Sequence, residues 1–138
     1  MERPLEPRNA PRPRGRAALA FLPLALLAAC SGPAVPPKDY ALRGVVRQLP
    51  DPKDPATALY LHHEAVAGFV DRDGKATEME SMTMPFDLAE GVSLAGVAVG
   101  DPVQATLHVD WSAARPARIT QLAELPPGTR IELGAARP

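Results

Sequence analysis

Residues 57–64 read TALYLHHE and residues 82–88 read MTMPFDL, and both stretches alternate with a period of two. In the first, Leu59, Leu61 and His63 share one face and Tyr60, His62 and Glu64 the other. In the second, Met82, Met84 and Phe86 lie opposite Thr83, Pro85 and Asp87. That period belongs to half-buried strands. Working outward, residues 40–49 carry the β-branched pair Val45-Val46 and stop at the breaker Pro50-Asp51-Pro52. Residues 101–111 set Val103, Ala105, Leu107 and Val109 against Gln104, Thr106, His108 and Asp110, and residues 117–125 add Ile119 and Leu122 to the core. Between the second and third of these stretches, Asp73-Gly74 marks a tight turn. Residues 88–100, apolar and rich in Gly and Ala, read as a short helix or an irregular crossover. Five short strands, one crossover and no long helical period predict an all-β fold, a small five-stranded OB-like β-barrel over residues 40–125. About eighty-five residues give a small core of modest stability. Residues 126–138 read as a C-terminal tail with room for one extra strand at 129–133.

The front of the chain has a different character. Residues 1–29 carry five Arg against Glu2 and Glu6, and from position 30 onward ten Lys and Arg face fourteen Asp and Glu. A mildly acidic domain in a chain with three Phe, two Tyr and one Trp is poorly suited to nucleic acid, which is not expected as a partner. Residues 17–29 (AALAFLPLALLAA) run without a charge. As a helix they would span about 20 Å, short of the roughly 30 Å hydrocarbon core. That length suits the apolar part of a signal peptide over 1–29. The run closes on Leu27-Ala28-Ala29-Cys30, which resembles a bacterial lipobox whose Cys is lipidated and becomes the mature N-terminus. Residues 30–39 then form a lipid-anchored, Pro-rich tether.

Cys30 is the sole cysteine. Once acylated, it leaves the folded domain without a thiol, so any soft-metal site must draw on thioether and imidazole. The chain has four Met, and Met79, Met82 and Met84 fall within six residues. On a strand, Met82 and Met84 point to one side about 6.5–7 Å apart, with Met79 three residues earlier where it could close over them. His63 ends the preceding strand on its apolar face. Neutral thioethers are soft and suit Cu(I) and, by the same argument, Ag(I); they bind Zn(II), Mg(II) and Ca(II) poorly. A site without a charged ligand holds its ion less tightly than a thiolate pair, which fits a carrier. The competing reading makes the three Met core filler, a common use of that side chain.

HHEAVAG at 62–68 followed by MESMTMPF at 79–86 resembles the CusF-type periplasmic copper and silver chaperone domain, and the similar domains found with Sco-type copper proteins. The resemblance covers roughly residues 40–125. It implies one Cu(I) or Ag(I) ion held at the barrel mouth by His63, Met82 and Met84. Members of that family have a Trp three residues before the first Met, stacked on the ion. Here that position is Met79, which either adds a thioether or shields the site, and Trp111, in a different strand, is not expected to substitute.

The expectation is therefore a periplasmic, lipid-anchored metallochaperone, a monomer that exchanges its ion with an efflux complex or a cuproenzyme assembly factor. Ser31 follows the Cys in place of an Asp, which favours the outer membrane over the inner. The rival is an OB-fold lipoprotein that binds a protein or glycan partner. Asp71-Arg72-Asp73-Gly74 fails the calcium-loop spacing. Glu64 beside His62 and His63 lacks a nucleophile pattern, and His108 stands alone on its strand, so no enzyme is expected.

Overall fold

The computed structural model of the chain describes residue 32 and residues 34–134. The expected signal peptide and the lipidation site at Cys30 lie outside the described residues. Among those described, every regular element is a strand: β1 (Lys38–Gln48), β2 (Leu59–His63), β3 (Val66–Val70), β4 (Ala76–Met79), β5 (Met82–Leu88), β6 (Pro102–Val109) and β7 (Ala117–Glu124). Five of them close into a barrel in the order β1-β2-β5-β7-β6, while β3 and β4 form a separate hairpin. The described residues are all-β, with a five-stranded OB-like barrel.

Strand β1 is long enough to serve two neighbours. Its first part pairs with β6 from Lys38 to Val45, and its second with β2 from Gly44 to Gln48. The register shifts between Val46 and Gln48, and an extra residue of that kind bends a strand and increases its twist. Gly44 allows the close approach at the bend: a Cβ there would lie 2.6 Å from the carbonyl oxygen of His62. The barrel closes where β5 meets β7 in a short parallel pairing of Asp87 with Arg118 and Leu88 with Ile119.

The alternation read from sequence is the burial pattern of the barrel. Leu59, Leu61 and His63 are buried along β2, Val103, Ala105, Leu107 and Val109 along β6, and Ile119 on β7. Leu122 packs against this core from its margin. The stretch between β5 and β6 is an irregular crossover without a helix. Gly96 and Gly100 take φ of 81° and 96°, values that interrupt a helix and suit glycine, while Val97 is buried in the core.

The tight turn at Asp73-Gly74 is the tip of a hairpin between Gly68 and Met79, as expected, and its two strands lie outside the barrel. One feature differs from expectation. Residues 129–133 are not a strand: the backbone N–H groups of Glu132 and Gly134 bond to the side chains of Glu64 and Ser81 in place of a ladder.

Candidate metal site

Strand β2 runs antiparallel to β5 with His63 directly opposite Met82 and Leu61 opposite Met84. Opposed residues of an antiparallel pair project from the same face with Cβ atoms about 4.5–5.5 Å apart, and a diagonal neighbour stands about 7–8 Å away. His63, Met82 and Met84 therefore rise together from one face of the β2–β5 pair. Burial falls steadily along β5 on that face: Phe86 is in the core, Met84 is half-buried against it, and Met82 is 44% exposed. The face runs out of the core into solvent at one end of the pair, and the three side chains sit at that emergence.

His63 has no exposed surface. Its ring meets the edge of Phe86 at 6.0 Å between centroids and 70° between planes. Nδ1 lies 2.7 Å from the backbone oxygen of Glu64. A carbonyl only accepts, so Nδ1 carries the hydrogen and donates it. In the neutral ring the lone pair is then on Nε2, which is buried and has no hydrogen-bond partner. A ring nitrogen fixed by a backbone carbonyl, with the other left open, is the arrangement that orients a metal-binding imidazole. Among the described residues no three His, Cys, Asp or Glu side chains gather into a group that could hold a metal ion. The thioethers of Met82 and Met84 are the soft donors that share the face of His63.

Met79 lies on the hairpin, opposite Val66 in the β3–β4 ladder, half-buried against the core. The hairpin is tied back to the barrel. Tyr40 accepts from Val70 N–H at 2.9 Å, Trp111 Nε1 donates to Val70 oxygen at 3.0 Å, and Phe69 packs against both rings. Trp111 thus holds the strand pair that carries Met79 and engages Arg72 and the β3 residues. His62, on the opposite face of β2, pairs with Thr83. Burial, then the charge of Arg47 and the neighbouring His63, hold its imidazole below the ordinary value of 6.5. His108 sits on the barrel's outer side with Nδ1 2.7 Å from Asp39, and Asp71 caps the hairpin turn through the N–H groups of Asp73 and Lys75. The clamp residues Tyr40 and Trp111, and the Glu64 carbonyl, are not visible as site residues in the sequence. Their contribution depends on strand pairing and backbone direction.

Fold and site together define a class: a small closed β-barrel with a buried imidazole and two thioethers where one strand pair leaves the core. No family model and no curated protein matches the chain. Among solved structures, apo-CusF residues 6–88 from Escherichia coli is similar at 16% identity with a TM-score of 0.49, covering 70% of this chain and 98% of that one. A likeness this slight carries no function, which has to be read from the residues.

Proposed function

We propose that this chain binds one Cu(I) or Ag(I) ion through His63 Nε2 and the thioethers of Met82 and Met84. It would act as a periplasmic metallochaperone tethered by lipid at Cys30. The observation that supports this best is the buried, unpartnered Nε2 of His63, with Nδ1 held by the Glu64 carbonyl. A buried polar atom without a partner costs about 1–3 kcal/mol, and a soft cation is the partner its surroundings suit. The exposure of Met82 weighs against reading that side chain as core filler, while Met79 and Met84 do pack against the core. Exposure of one ligand also suits handover, since a receiving protein can reach that thioether first. Met79, on the hairpin beside the site, is the fourth participant or its shield. The ion is cargo, taken from a donor and passed to an efflux complex or to cuproenzyme assembly, with the carrier itself a monomer at the outer membrane.

The test is an anaerobic Cu(I) titration against a colorimetric competitor, using the full chain with Cys30→Ser in mild detergent so that no thiol competes. One equivalent should bind, and His63→Leu and Met82→Leu/Met84→Leu should each weaken binding by at least about tenfold, or about 1.4 kcal/mol, while remaining folded by circular dichroism. A folded parent that does not compete for Cu(I) would remove the metal reading and leave the partner-binding lipoprotein in its place.

A further inference from the structure

The ladders of β2–β5 and β3–β4 do not join. Glu64 and Ala65 on one side and Glu80 and Ser81 on the other lie outside both registers. The C-terminal segment 130–134 packs into this interruption. Ser81 Oγ donates to the backbone oxygen of His63 at 2.8 Å and accepts the N–H of Gly134 at 2.8 Å. The Glu64 carboxylate accepts the N–H of Glu132 at 2.7 Å. Arg43 spans the same place, 3.8 Å from Glu64 Oε1 and donating to the backbone oxygen of Arg130 at 2.9 Å.

These contacts fall on the two residues adjacent to the candidate ligands. Glu64 follows His63 and its carbonyl fixes Nδ1; Ser81 precedes Met82 and holds the His63 carbonyl. Gly134 is shaped for the position, since a Cβ there would stand 3.1 Å from Ser81 Cβ. The segment also walls an open cavity of ≈ 910 Å³ beside Met82, with Glu132, Leu133 and Gly134 facing His62 and Thr83.

We propose that residues 130–134 are a latch on the ligand-bearing ends of β2 and β5, and that Ser81 and Glu64 are positioning residues through which it slows release of the bound ion. The inference rests on the metal reading above. The latch ties down Glu64 and Ser81, the residues next to His63 and Met82, and so keeps the two ligands in register while a thioether is exchanged. Partners that orient metal ligands typically change affinity by about 10–100-fold.

The test compares the full Cys30→Ser chain with the same chain carrying Gly134→Val or Ser81→Ala. Each is loaded with Cu(I) and mixed rapidly with an excess of a high-affinity colorimetric chelator. Release should quicken by about 10–100-fold in both variants, with amide protection of Leu59, Leu61 and Phe86 unchanged in the apo chain. Gly134→Val alters the tail alone, so a folding defect in Ser81→Ala does not remove the test. Release at the parent rate from a folded Gly134→Val chain would overturn the latch and leave the metal site standing. A parent that takes up no Cu(I) would overturn both.

Discussion

His63 sits where a leucine would pack more simply. It lines up with Leu59 and Leu61 on β2, its ring is fully buried, and one of its nitrogens has no partner. A leucine there removes the unpartnered Nε2 but also the donor to the Glu64 carbonyl, two effects of similar size and opposite sign. His63→Leu should therefore leave the apo chain within about 1 kcal/mol of the parent, and abolish the rise in melting temperature on adding Cu(I). A large apo destabilisation would mean that the imidazole serves the fold. His62 carries the pH dependence. Its folded pKa lies below the ordinary 6.5, so between those two values the unfolded chain binds the proton more readily. Stability is complete above about 6.5 and declines as the pH falls through that window. Denaturant midpoints measured across it should show a slope in the parent that shrinks in His62→Gln. At this scale the placement of the candidate ligands was legible, because Met82, Met84 and His63 stand at positions that the alternation fixes. The Glu64 carbonyl was not: every residue has one, and its direction is set by where β2 ends.

Strands β1 and β2 lie close together beside the site, where Gly44 opposes His63. Because a Cβ there would meet backbone, which cannot rotate away, Gly44→Ala should cost about 1–3 kcal/mol, read from chemical denaturation. The hairpin of β3 and β4 depends on different contacts. Trp111→Ala removes the donor to Val70 and the ring against Phe69, and should raise amide exchange over residues 66–79 while the barrel strands keep their protection. Equal loss of protection in the barrel would show that hairpin and barrel open as one. Strands β2, β5 and β6 were readable because each alternates against a single core, and β1 and β7 by apolar residues such as Val46 and Ile119, both buried. The hairpin strands were not, since Val66 is the sole buried residue of β3 and the half-buried Phe69 and Val70 are neighbours in sequence, which leaves no period of two to detect. The tail misled for a related reason. Residues 129–133 have strand-like composition, but their polar groups are met by Glu64, Ser81 and Arg43, a long-range fit that no local pattern records.

The described residues close into a barrel, and the candidate ligands come from two adjacent, directly paired strands of it. That arrangement suits a carrier. The ion should add stability by linkage, about 2.7 kcal/mol at a free concentration a hundred times Kd, without changing the secondary structure. A domain near 100 residues gains roughly 4–8 °C per kcal/mol, so melting with and without Cu(I) should differ plainly. The most direct measurement is X-ray absorption at the copper edge of the Cu(I)-loaded full chain with Cys30→Ser, run beside its Met82→Leu and Met84→Leu variants. One nitrogen and two or three sulfur scatterers are predicted, with one sulfur lost in each variant. A shell of nitrogen and oxygen alone, or a sulfur count that neither substitution changes, would contradict the assignment of His63, Met82 and Met84 as the metal's ligands.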